Sequence, residues 1–398
     1  MKLFDQWKSP ATLLLLMAFI MPLAFSTWAA LINNFSKEAA GFTGKEIGIL
    51  QSLREVPGFL AFTAVFLLAI IKEQRLAMVS LLLLALGVLM TGFFPSIIGL
   101  YITTVIMSVG FHYFETVHQS LTLQWIEKDR AAHFMGKALS VKAAASILVF
   151  ACTWAMFELF SVSYQVVYTV FGGASILVLI YVWWSFPQYP AKVEQTTKLV
   201  FKKSYWLYYL LVFLSGARRQ IFMVFAGFML VEKFNYSVSS ISLLFLANYV
   251  FNLLFASKLG NIIGIIGERK ALTFEYVGLS LVFVAYAFVE NAKVAGALYI
   301  IDHFFFAFAI AMKTYIQKIA DPQDIASTAA VSFTINHVAA VVLPAALGLL
   351  WLISNSAVFL VGAGLAIVSL LITQFIPNAP AMGNETRFVR SFVARPAS

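Results

Sequence analysis

Twelve apolar stretches run through this 398-residue chain from Ala11 to Pro377, each long enough to cross a bilayer and separated only by short polar breaks. A hydrocarbon core of about 30 Å takes ~20 apolar residues at helical rise. The stretches fall at 11–32, 46–71, 76–94, 97–120, 138–160, 165–186, 205–231, 238–256, 271–290, 294–316, 327–352 and 354–376, spans 1 to 12. Backbone in lipid must satisfy its own hydrogen bonds, so continuous apolar segments of this length are helices. Composition agrees: with 61% hydrophobic and 11% charged residues, the chain cannot cover itself with a water-facing surface. The fold class expected is an all-α membrane protein with twelve transmembrane helices.

The connections set the organisation. The longest polar stretch between spans, 187–204, carries Pro187, Pro190 and four lysines, and divides the chain into halves 1–186 and 205–377. The tail 378–398, with Pro380, Gly383, Asn384 and arginines, reads as disordered. A net charge of +9 could suggest a nucleic-acid partner, but its distribution argues for topology instead, and no nucleic acid is expected. With the N-terminus inside, alternating spans leave 18 Lys/Arg on the inner side, Lys8, Lys72, Arg75, Arg269 and Lys270 among them, against four outside: Lys37, Lys45, Lys233 and Lys293. That is the positive-inside pattern, with both termini cytoplasmic. Reading Met1–Ala30 as a cleaved signal peptide would reverse it, but Thr27-Trp28-Ala29-Ala30 is a poor cleavage site.

Several chemistries are excluded. Cys152, alone in an apolar run, gives neither a disulfide framework nor zinc-site spacing. No Gly-x-x-x-x-Gly-Lys loop is present, no cluster has haem or metal spacing, and no nucleophile–base pair suggests itself. No cofactor and no enzymatic activity are expected.

The halves repeat weakly. At an offset of 194, Leu50 meets Leu244 and Arg75 meets Arg269; at 198, Tyr101-Ile102 meets Tyr299-Ile300, Thr116 meets Thr314 and Gln119 meets Gln317. The loop after span 8, from Gly260 through Gly264 to Gly267-Glu268-Arg269-Lys270, has a first-half counterpart reduced to Lys72-Glu73-Gln74-Arg75. On the repeat and these loops, the chain resembles the major facilitator superfamily over nearly its whole length. It departs from the family's loop pattern at the aspartate, where Gly264 stands in the second copy, and span 5 lacks the proline-glycine motif of drug/proton antiporters. The resemblance implies two six-helix pseudo-symmetric bundles and alternating access around a cavity lined chiefly by spans 1, 4, 7 and 10.

Ionisable residues inside spans cost ~2.5–3.5 kcal/mol each on insertion scales, so they mark function by default. Span 4 carries His112, Glu115 and His118 on one broad face, a set suited to proton handling or to plain interhelical bonding. Span 10 carries Asp302, His303 and Lys313; Asp302 and Lys313 are three turns apart and should share a face. Under the repeat Lys313 corresponds to Glu115, a possible inner gate, although Lys313 could simply snorkel. Arg218 and Arg219 on span 7 point about 100° apart, so one should face a cavity and the other a neighbouring helix. An arginine fork suits a carboxylate or phosphate, while a structural ion pair with Glu55, Glu115 or Asp302 is the alternative.

Arg54-Glu55 precede Pro57-Gly58 on span 2, a weak point that suits a hinge, an outer gate or a structural pair at a kink. Asn248 is the repeat equivalent of Arg54, and His337 that of Lys142. Trp28 on span 1 is a further candidate for lining a cavity, and Glu275 reads as an interfacial partner of Arg269 and Lys270.

The expected roles are therefore substrate binding by Arg218, Arg219, Arg54, Trp28, Asn248 and His337, and proton coupling by Glu115, Asp302, His112, His118 and His303. Gating falls to Glu55, Lys313, Lys142, Arg75, Arg269 and Lys270. The function expected is a secondary active transporter for a small anionic or zwitterionic organic solute, driven by protons and acting as a monomer in the plasma (inner) membrane of a bacterium. Efflux of amphipathic or cationic compounds and a transporter-like receptor that moves nothing are the alternatives.

Overall fold

The computed structural model describes residues 7–68, 70–126, 128–190, 201–321 and 325–387. Among these, ten helices are long and apolar enough to cross a membrane, and Val238–Phe251 is a shorter apolar one. No strand is present among the described residues beyond an isolated bridge between Ala381 and Asn384. Helix starts follow local chemistry. Ser9, Ser96, Asn291 and Ser354 accept from first-turn N–H groups, and Thr43 with Glu46 forms a capping box.

Among the described residues, three spans are interrupted. Span 2 is a helix Gly44–Phe59, a 3₁₀ turn Ala61–Thr63 and a short helix Ala64–Leu68, so it breaks just after Pro57-Gly58. Span 7 runs as Trp206–Gln220, a π segment Ile221–Ala226 and Gly227–Glu232. Span 10 is split by a 3₁₀ turn Ala307–Ala309 between Ala292–Phe306 and Ile310–Ile319. That last break overturns one expectation. Asp302 is fully buried and Lys313 exposed, so they do not share a face. A 3₁₀ residue turns about 120° where an α residue turns about 100°, and three of them rotate the following helix by roughly 60°.

Two compact units divide the described chain. The first comprises Met1–Glu46, Leu53–Thr197 and Asn235–Leu253. Within it span 3 lies along span 4 with the backbones in near contact. A Cβ on Gly110 would sit 2.3 Å from the Leu84 nitrogen, and one on Gly87 2.5 Å from that of Met107. The start of the 187–204 linker is tied down here: Gln74 donates to the Pro187 carbonyl (3.0 Å), Trp125 to that of Pro190 (3.2 Å), and Tyr189 to that of Lys8 (2.8 Å). Residues 191–200 of the linker and 388–398 of the tail lie outside the described residues.

The second unit comprises Ile47–Ser52, Lys198–Phe234 and Leu254–Ser398. Spans 9 and 12 pack closely there, with span 7 against spans 11 and 12. Its Gly48 lies against the Pro344 carbonyl, and Ser52 accepts from the Ala345 N–H at 3.0 Å, next to the proline that interrupts the helical ladder of span 11. The described part of the tail, expected to be disordered, folds back onto this unit. Arg387 donates its N–H to Phe375 (2.9 Å), Tyr315 donates to the Glu385 carbonyl (2.7 Å), and Thr386 is buried. Its composition is polar, but backbone groups of Glu385 and Arg387 bond to the unit and hold it there.

Candidate functional site

In the second unit the side chain of Arg218 is fully buried and turned away from solvent. Its guanidinium donates to the Ser369 hydroxyl on span 12 and lies over the Tyr276 ring at 4.2 Å; Glu275 on span 9 is 3.9 Å away. Asp302 from span 10 is within electrostatic reach of both Arg218 and Glu275. All three ionisable groups are wholly buried. Neither carboxylate has a hydrogen-bond partner on either oxygen, and Nε and Nη2 of Arg218 have none. One guanidinium is thus buried beside Glu275 and within electrostatic reach of Asp302, where an uncompensated charge is expensive.

Arg219, the next residue, is exposed and donates to the amide oxygen of Asn336 at 2.7 Å. Of the two arginines, Arg218 is sealed and Arg219 exposed. The alternative ion-pair partners expected for it were Glu55, Glu115 and Asp302; the close one is Glu275. That residue does not serve as an interfacial partner of Arg269 and Lys270. One turn and more into span 9 it already faces the interior, and only the cost of an intramembrane carboxylate could have signalled it. Tyr276 and Ser369 carried no signal in the sequence. His303 bonds the Tyr299 carbonyl (3.2 Å) and packs on Phe222 at 5.1 Å, while His337 bonds the Phe333 carbonyl (2.8 Å).

The first unit holds a second polar group. Arg54 and Glu55 pair side by side, the Arg54 carbonyl accepts from Ser108, and the Arg54 guanidinium lies 5.7 Å from the Trp28 ring. Ser108 also meets His112 Nδ1 at 3.0 Å, and Phe111 beside it stacks on Phe25 at 4.4 Å. The span 4 trio separates: Glu115 pairs with Lys142 at 2.5 Å, and His118 bonds the Leu14 carbonyl at 3.0 Å. Asn248, in this unit too, is buried with neither side-chain polar atom bonded. Arg75 and Lys270 are exposed and Arg269 partly so. Glu268, the neighbour of Arg269, is held by Lys318 at 2.6 Å.

Helices broken at charged residues, two polar clusters and a matching sequence pattern converge on one family: the sequence model of the Major Facilitator Superfamily matches residues 13–344. The chain belongs to that superfamily. The fold agrees with solved members. The crystal structure of the nucleoside transporter NupG is 14% identical over 92% of this chain and 98% of that one, with a TM-score of 0.75, and a point mutant of it gives 0.76. A bacterial homologue of the human lysosomal transporter Spinster, inward-facing and occupied, is 13% identical over 95% and 97%, with a TM-score of 0.67. No curated protein matches the sequence. As a superfamily member the chain is a secondary transporter, a multi-pass membrane protein that carries a small molecule and does not transform it.

Proposed function

We propose that this superfamily member carries a small polar organic solute by alternating access, with protons as the coupling ion. The observation that carries the reading is the sealed set of Arg218, Glu275 and Asp302. One positive and two negative groups leave a single negative charge, and a proton taken up by the set neutralises it. Losing that proton would set Asp302 and Glu275 in competition for Arg218 and so alter the packing of spans 7, 9, 10 and 12 around it. A near-complete switch between states needs about 5.5 kcal/mol of differential binding from proton and solute together.

Arg219 is the group we assign to an anionic or zwitterionic solute, because it is exposed and its fork already addresses the neutral amide of Asn336. A second reading, an uncharged heteroaromatic solute such as a nucleoside, is favoured by the first unit's set. There Arg54 and Glu55 cancel each other, and Trp28, Phe25 and Phe111 offer ring faces beside Ser108 and His112. The likeness to NupG points the same way.

Purified protein in liposomes, with an imposed pH gradient, tests the coupling. Uptake that accumulates solute only while the gradient stands supports it, and uptake indifferent to a protonophore refutes it. Competition by uridine against amino acids and carboxylates separates the two solute readings. Replacing Arg219→Gln should abolish recognition only of the charged class.

A further inference from the structure

Between the loop that opens span 9 and the start of the tail lies a cavity of about 240 Å³, lined by Ile266, Gly267, Arg269, Lys270 and Asn378. Its polar wall is cationic. Arg269 and Lys270 line it, and Arg387 is tied to its rim through a bond to Asn378 Oδ1 at 3.4 Å. Arg387 also lies within electrostatic reach of Arg269. The neighbouring acids have other partners: Oε1 of Glu268 is held by Lys318 at 2.6 Å, its Oε2 being buried and unbonded, and Glu385 accepts the Gly383 N–H at 2.8 Å. Nη1 of Arg269 is buried and has no hydrogen-bond partner. Three cations meeting at one cavity, with a donor aimed at nothing, lack an anion.

The backbone adds to the demand. Gly267, in the left-handed region at φ +84°, precedes the span 9 helix, and no side chain caps the helix start. Its first-turn N–H groups are free to meet an oxyanion. On the other side, Ile262 and Ile265 are exposed apolar residues within about one turn before Ile266 of the cavity wall, Ile265 at 85%. A charged hollow beside bare aliphatic surface, at the ends of membrane helices, has the amphipathic make-up of a phospholipid's own head and chain.

We propose that this cavity binds a phosphate group, supplied by an anionic lipid headgroup or by phosphate free in solution. The cations provide the charge-assisted donors, Arg269 the planar fork, and the helix start the backbone N–H groups. This site is separate from the buried ion set and does not depend on the solute or the coupling ion.

The test uses the full chain purified in a neutral detergent. Binding of phosphatidylglycerol, phosphatidylcholine and inorganic phosphate is measured by native mass spectrometry and by thermal shift at constant ionic strength. Wild type is compared with the double variant Arg269→Gln/Lys270→Gln, and with Lys293→Gln as a remote charge control. Removing two of three cations should weaken anionic-lipid binding roughly tenfold or more, and Lys293→Gln should leave it unchanged. Phosphatidylglycerol that stays bound in excess inorganic phosphate identifies a lipid site. Phosphate that itself raises Tm and displaces the lipid identifies a free-anion site. If the double variant does not purify, the exposed Arg387→Gln should show the same preference with a loss of roughly threefold. Equal binding by wild type and the charge-depleted variants, or an equal loss in Lys293→Gln, overturns the proposal.

Discussion

Arg218 and Arg219 are chemically the same residue in adjacent positions, and one step of about 100° around the helix gives them opposite situations. Arg218 is sealed among Ser369, Tyr276 and Glu275, whereas Arg219 is exposed beside Asn336. Removing a buried partner leaves its mate charged and unpaired, which costs about 3–5 kcal/mol, far more than loss of an exposed bond. Arg218→Gln, which leaves Glu275 and Asp302 buried without their cation, should therefore lower the thermal stability of the purified protein markedly while Arg219→Gln leaves Tm nearly unchanged; equal Tm values for the two would remove Arg218 from the ion set.

Asp302→Asn makes a sharper test, because it keeps shape and removes charge. It should abolish accumulation driven by a pH gradient yet preserve solute exchange between equal concentrations, measured in the same liposomes. Loss of both would assign Asp302 to holding the fold or the solute. The sequence made the cost of each charge legible, and so it picked out Arg218, Arg219 and Asp302. It could not give the rotational setting of spans 7, 9 and 10, and that setting decides which arginine is sealed and turns Glu275 inward.

At the scale of the helices, spans 3 and 4 approach closely because two glycines remove the side chains that would separate them. Close approach is how membrane helices gain packing where lipid offers no hydrophobic drive. Gly110→Ala would press a methyl to 2.3 Å from the Leu84 backbone nitrogen, whereas Gly364 and Gly173 have open space where a Cβ would sit. An alanine in open helix gains up to ~1 kcal/mol in propensity, and overpacking against backbone costs ~1–3 kcal/mol. Gly110→Ala should thus lower Tm and yield, with Gly364→Ala neutral or stabilising. A Gly110→Ala protein as stable as wild type would mean the two helices can part at little cost.

Helix positions were readable because length and hydropathy are set by the bilayer, which acts on every span alike. The breaks were readable only where a residue announces one, as Pro57-Gly58 does in span 2. The π segment Ile221–Ala226 and the 3₁₀ turn Ala307–Ala309 contain no proline or glycine. No local rule foretells them. Each sits within a few residues of the ionisable groups of its span, where extra or tightened turns re-aim side chains.

For the whole molecule, orientation follows from an energy the fold alone does not reveal. Lys and Arg near span ends favour the cytoplasmic side, so 18 cations at one set of span ends against four at the other predict that the richer set lies inside. The orientation matters to mechanism, since it decides which face of the membrane supplies protons to Asp302 and on which leaflet the cavity at Arg269 and Lys270 opens. Cys152 is the chain's one cysteine, so a Cys152→Ser background gives a clean surface for labelling. In that background, Lys293→Cys should react with an impermeant maleimide added to intact cells, since Lys293 is exposed in the turn that opens span 10. Arg75→Cys, exposed at the opposite end of its hairpin, should react only after the membrane is permeabilised. The reverse pattern would turn the molecule over, put both termini outside and break the rule that charge placement rests on. Labelling of both positions in intact cells would point to mixed insertion, which so large a charge difference is expected to forbid.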